Sequence, residues 1–193
     1  GNDLFISNLS FLDSINISSL ASAAQLRLEG NSSTSITSTY TLNFPNLSSV
    51  NSIKITSNPN LSQISGGSNL NALGYLDIWN NPDLTVCCDL LDLATLASTV
   101  NLGGNGSNCN NLITIAGNCS SQFCGTNGMT NNIYTQSEVV AISGCTDLIG
   151  SFNFGPGLDL TPLSGLETVG NNLHFTEYNT AYDIDLPSLI SVG

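Results

Sequence analysis

Ile53-Lys54-Ile55-Thr56-Ser57-Asn58-Pro59-Asn60-Leu61 and Leu76-Asp77-Ile78-Trp79-Asn80-Asn81-Pro82-Asp83-Leu84 are two copies of one unit. Each opens with the apolar/polar/apolar alternation of a half-buried strand. It then reaches Asn five residues after its first apolar residue, turns at Pro and closes on Leu. Further copies begin at Leu26-Arg27-Leu28, followed by Asn31, and at Val100-Asn101-Leu102, followed by Asn105. Weaker ones begin at Leu4-Phe5-Ile6, Phe152-Asn153-Phe154 and Leu173-His174-Phe175. Their first residues recur about every 21 to 27 positions, the period of leucine-rich-repeat solenoids. The repeated Asn has a physical task, because a side-chain amide can satisfy backbone groups exposed where the chain leaves each strand.

Composition narrows the partners. Of 193 residues 40% are apolar, enough for a sizeable core, and only 8% are charged. Two basic residues against a net charge of −12 argue against nucleic acid and anionic membrane surfaces as partners. No apolar run approaches the length of a membrane span, so no membrane insertion is expected. No signal peptide heads the chain, which reads as mature or excised sequence.

Six cysteines beside a single His favour disulfides over a metal site, and hence an oxidising, extracellular location, secreted or at the cell surface. No cofactor is implied. Cys87 and Cys88 are adjacent and poorly placed to bridge each other, so they are expected to pair with Cys109 and Cys119, in either order. Cys124 and Cys145 form the remaining pair.

Along the chain, residues 18–24 read as a single helical turn and residues 32–40 as a Ser/Thr-rich loop. Residues 89–98 (DLLDLATLAS) are apolar on all sides behind an N-cap Asp89, which predicts a buried or capping helix. Residues 101–121 read as an irregular end piece tied by disulfides. Thr135-Gln136-Ser137-Glu138 has capping-box spacing and opens a short helix. The phrase Phe44-Pro45-Asn46-Leu47-Ser48-Ser49-Val50 recurs at residues 163–169 and 186–192, each time with a Leu and a Val expected in the core.

Residues 1–122 thus carry five rungs and a finishing cap, and residues 123–193 a starting cap and two rungs of the following unit. Read end to start, residues 186–193 run into Leu4-Phe5-Ile6 as smoothly as Val50 runs into Ile53. The chain reads as one repeat of a longer array, with the C-terminal edge of one copy stacked on the N-terminal edge of the next.

The run from Cys124 through the capping-box helix and Cys145 to a Gly and the strand ending at Phe154 resembles the start of a receptor L domain. That family is the leucine-rich right-handed β-helix of growth-factor-receptor ectodomains, fungal wall proteins and secreted bacterial surface proteins. The Cys87-Cys88 doublet and the phrases at residues 159–166 and 80–84 look most like the bacterial members. The resemblance covers nearly the whole chain, in circularly permuted order. It implies a mainly β, L-domain-like right-handed solenoid with short capping helices. Family members are receptors, wall components and adhesins, so no catalytic residues are carried over.

The residues themselves offer an enzyme little. His174 is the sole histidine, with no Gly-x-Ser-x-Gly elbow or phosphate loop near it. Asp183-x-Asp185 and Asp89-x-x-Asp92 supply too few carboxylates for a calcium site and read as solvated loops. If the first apolar residue of each strand points inward, the next residues form an outward row: Phe5, Arg27, Lys54, Asp77, Asn101, Asn153, His174. A second row follows two positions on, through Glu29 and Trp79. Phe5, Arg27, Glu29, Lys54, Tyr75, Asp77, Trp79 and His174 are therefore expected on one sheet face, the place for a glycan or protein partner. The plainer reading of its charges is cross-strand pairing, with Arg27 and Lys54 meeting Glu29 and Asp77. The function expected is a non-enzymatic structural repeat of an extracellular fibre or adhesin that binds copies of itself. A receptor-like domain using the exposed sheet face is the alternative.

Overall fold

A computed structural model describes residues 2–10, 12, 15–32, 39–119, 123–176 and 184–193. The protein is mainly β, with parallel sheets, and divides into two compact units, Gly1–Asn111 and Leu112–Gly193. In the first unit the elements are β1 (Leu4–Ser7), β2 (Gln25–Glu29), β3 (Tyr40–Phe44), β4 (Ser52–Thr56), β5 (Leu61–Gly66), β6 (Leu73–Trp79), α1 (Leu90–Leu96) and β7 (Ala97–Gly103). A five-stranded parallel sheet runs in the order β1-β2-β4-β6-β7, and β3 pairs with β5 in a second parallel ladder.

Register follows the sequence repeat. Leu4, Leu26, Ile53, Leu76 and Val100 stand side by side, as do Ile6, Leu28, Ile55, Ile78 and Leu102. The three central members of each file are almost fully buried, whereas those on the outer strands β1 and β7 are half-buried. Burial of each such side chain contributes roughly 1.5–3 kcal/mol. Tyr40, Leu42 and Phe44 of β3 and Leu61 and Ile64 of β5 are buried too.

Each of the five strands ends in one left-handed residue, at Asn8, Gly30, Ser57, Asn80 and Gly104. The four asparagines anticipated for satisfying backbone then follow, at Asn31, Asn58, Asn81 and Asn105, all buried. They form a continuous stack. Asn58 Nδ2 donates to the Leu28 carbonyl (2.9 Å) and to Asn81 Oδ1 (3.1 Å), while Asn81 Nδ2 donates to the Ile55 carbonyl (3.0 Å) and to Asn105 Oδ1 (3.0 Å). The Oδ1 of Asn58, Asn81 and Asn105 each also accepts the backbone N–H of the preceding Asn in the stack, at 3.1–3.2 Å, and that of Asn31 accepts the Leu9 N–H. Asn110, which carries no repeat signature, closes the end by accepting the Asn105 N–H at 2.9 Å.

The second unit comprises α2 (Leu112–Asn118), β8 (Gly125–Ile133), α3 (Gln136–Ala141), β9 (Asp147–Phe154), β10 (Thr168–Val169), β11 (Leu173–Phe175) and β12 (Ser191–Val192). β9 is central and pairs with β8, with β10 at Asp147–Leu148 and with β11 at Phe152–Phe154; β12 lies beyond β10. Thr135 and Glu138 make the reciprocal capping box. The buried Glu138 carboxylate also accepts from the Tyr134 N–H (2.8 Å) and the Thr114 hydroxyl (2.6 Å). Phe154 and Phe175 stack with ring centroids 5.4 Å apart.

Several expectations need correction. Residues 18–24 turn without forming a helix, and Ser22 pairs with Ser49 in an isolated parallel bridge. The loop expected over residues 32–40 lies mostly outside the described residues, and Tyr40 already belongs to β3. Asp89 holds the N-cap position of α1 but makes no side-chain capping bond; its carboxylate instead accepts the Gly66 N–H at 2.8 Å. Residues 101–121 are more regular than an end piece, since they contain the end of β7, a 3-10 turn at Ser107–Cys109 and α2. Leu47, Val50, Leu166 and Val169 are buried as the shared phrase requires, but Leu189 is half-buried and Val192 is 46% exposed. Of the cysteines, Cys87 bonds to Cys109 and Cys124 to Cys145; Cys88 and Cys119 are disulfide-bonded as well.

Candidate functional site

Strand alternation builds the candidate face in the first unit. Phe5, Arg27, Lys54, Asp77 and Asn101 are register neighbours, and so are Ser7, Glu29, Thr56, Trp79 and Gly103 two positions further on. Tyr75, two residues before Asp77 on β6, shares that side and is 36% exposed. His174 does not join them. It pairs with Asn153 in the other unit's sheet, because the second set of strands forms its own ladder instead of extending the first.

The basic side chains are committed to one acid. Arg27 Nη2 lies 2.9 Å and Lys54 Nζ 3.0 Å from Glu29 Oε1, and the Arg27 guanidinium sits 4.8 Å from the centre of the Phe5 ring. Burial pushes the Glu29 carboxyl up, but the hydrogen bonds and charges of Arg27 and Lys54 outweigh it and hold the group below its ordinary range. Lys54 on β4 thus meets Glu29 on β2 as cross-strand pairing anticipates, whereas the Arg27 pair lies within β2 and Asp77 takes a neutral partner. Asn101 Nδ2 donates to Asp77 Oδ1 at 2.8 Å, and Asp77 is only 7% exposed.

A folded-state carboxyl held low adds stability that is complete above its unfolded value and is lost as pH falls through the folded one. Glu29→Gln is therefore expected to cost under about 1 kcal/mol at pH 7. Thermal unfolding should show the two proteins converging below pH 4, and also at 1 M salt, where exposed charge pairs are screened. A gap unchanged from pH 7 to 3 would show that the cluster contributes packing and no charge.

Trp79 is the chain's single tryptophan and stands 46% exposed. It needs the glycine beside it, because a Cβ at Gly103 would collide with Cζ3 of the indole and lie 2.8 Å from Cη2. The benzo ring therefore rests directly on the backbone of β7. In front of it Lys54, Thr56, Asp77, Trp79 and Asn101 line a groove of about 320 Å³. Sequence alone brings out Trp79, Asp77 and Lys54; alternation puts Thr56, Asn101 and Gly103 on the same face but does not single them out as groove or seat residues, since their types are common throughout the chain.

Among the described residues no group of three or more His, Cys, Asp or Glu is arranged to hold a metal ion. Of the acidic pairs considered for calcium, Asp183 lies outside the described residues and Asp89 is engaged by Gly66. No described helix is long and apolar enough to cross a membrane. The disulfides fit an oxidising environment. No protein-family model, curated protein or solved structure matches this chain.

Proposed function

We infer that the protein is a non-enzymatic structural repeat of an extracellular fibre or cell-surface adhesin, built of L-domain-like leucine-rich solenoid coils that stack head to tail. The coil reading is supported by strands recurring in unbroken parallel register and by the asparagine stack that joins each turn to the next. Stacked repeats bury their apolar sides only against neighbours, so an end coil needs a cover.

One observation carries the assembly. The same Leu/Val phrase is buried at Leu47 and Val50 and at Leu166 and Val169, but at its third occurrence Val192 is 46% and the adjoining Ile190 79% exposed. β1, at one edge of the first unit's sheet, pairs among the described residues only with β2, leaving one side of Leu4–Ser7 open to another strand. A further copy, in tandem on one chain or as a separate subunit, covers both edges. Negative-stain electron microscopy and sedimentation across a concentration series are expected to show filaments or end-to-end multimers, abolished by Val192→Asp. Monomers at every concentration, or assembly indifferent to Val192→Asp and Ile190→Asp alike, would overturn head-to-tail stacking between separate chains.

A further inference from the structure

We propose that the groove in front of Trp79 is a carbohydrate subsite that takes a neutral hexopyranose ring of an oligosaccharide chain. This goes beyond the assembly reading and is independent of it, because the groove lies on the sheet face and stacking uses the strand edges.

The argument begins with the residue types brought together. A pyranose has an apolar face of C–H groups and a rim of hydroxyls, each both donor and acceptor. Its receptor must present a flat apolar surface beside donors and acceptors in mixture. Trp79 supplies the surface, held from behind by Gly103. Asp77 supplies a pure acceptor, Lys54 a pure donor, and Asn101 and Thr56 groups of both kinds, all around one groove. Its volume of about 320 Å³ falls at the small end of ligand sites, roughly 300–1,000 Å³, which suits one or two sugar rings.

The polar groups are also set in advance. Asp77 is fixed by Asn101 at 2.8 Å and Lys54 by Glu29 at 3.0 Å, so little side-chain freedom remains to be lost on binding. Charge then selects the ligand. The Lys54 ammonium shares the single Glu29 carboxylate with Arg27, Asp77 stands at the groove wall, and the chain carries a net charge of −12. An anionic ligand meets repulsion, and a cationic one meets Lys54. A neutral polyhydroxylated ring meets neither. Tyr75 lies four residues before Trp79 on the same strand, about 13 Å away at the usual rise, where a second ring of the same chain can rest against it.

The single tryptophan makes the test direct. Indole emission of the intact protein is followed during titration with cellotetraose, mannotetraose and maltotetraose, with a galacturonate tetramer as the anionic counterpart. At least one neutral tetrasaccharide is expected to give a saturable shift in emission, with the galacturonate tetramer at least about 10-fold weaker. By calorimetry, Trp79→Ala and the exposed-site variant Asn101→Ala are each expected to weaken binding about 10-fold or more without lowering Tm by more than a few degrees. Gly103→Ala, which lifts the indole off its seat, should weaken it through position alone. The proposal is overturned if none of the three neutral sugars gives saturable binding, if the galacturonate tetramer binds best, or if Trp79→Ala and Asn101→Ala both bind like the parent.

Discussion

Asn58→Leu is expected to cost about 3 kcal/mol or more, well beyond the price of any exposed asparagine in the chain. Its amide is fully buried and serves two neighbouring turns. Nδ2 donates to the Leu28 carbonyl and to Asn81 Oδ1, and Oδ1 accepts both the N–H and Nδ2 of Asn31 at 3.1–3.2 Å. Leucine keeps the volume and removes all of these bonds, stranding several buried groups at about 1–3 kcal/mol each. Urea unfolding should show the midpoint falling with the slope unchanged. Asn46→Ala is the comparison: its single bond, to the Ser18 carbonyl, is exposed, and under about 1 kcal/mol is expected. Because Asn58 and Asn81 share a bond, Asn58→Leu with Asn81→Leu should cost less than the two variants summed. Strict additivity would mean that the asparagines act one by one and not as a stack.

The positions of those asparagines were legible in the sequence because two signals coincide there, a period-two apolar pattern and an amide at a constant offset; the bonds from one amide to the next were not. Where only one signal exists, sequence reading falters. Tyr40-Thr41-Leu42-Asn43-Phe44 alternates cleanly and buries Tyr40, Leu42 and Phe44, yet it carries no amide at that offset and follows a Ser/Thr run that reads as loop. β8 (GTNGMTNNI) has almost no apolar pattern at all; its extended form is held by parallel pairing with β9. α2 (LITIAGN) is poor in strong helix formers, and burial of Leu112, Ile113, Ile115 and Ala116 decides it.

The face shows the same division. Alternation places Trp79, Lys54 and Asp77 on one side, but it cannot tell that Asn101 would draw Asp77 under cover, or that the His174 row belongs to a separate sheet. The first is a choice of bond between register neighbours and the second a matter of which strands pair, and a strand's own alternation carries neither.

Removing the Cys124–Cys145 bond by Cys124→Ala with Cys145→Ala is expected to destabilise the second unit by about 3 kcal/mol. The bond closes a loop with a sequence separation of 21, for which the lost entropy of the unfolded chain is about 3 kcal/mol. Its place makes the effect count. Cys124 immediately precedes β8, its carbonyl accepts the Ile149 N–H at 2.7 Å, and Gly125 pairs with Ile149 where β8 and β9 begin their ladder. All of α3 lies inside the closed loop. The remaining strands of the unit are two or three residues long, too short to hold β9 in place by themselves. Hydrogen exchange should therefore quicken about 100-fold at β9 amides in the oxidised double variant, as 1.4 kcal/mol is tenfold. Should β9 exchange at its parent rate, the α3 capping box and the Phe152 and Phe154 core would be enough to hold the ladder, and the bond would only record the compartment in which the chain folds.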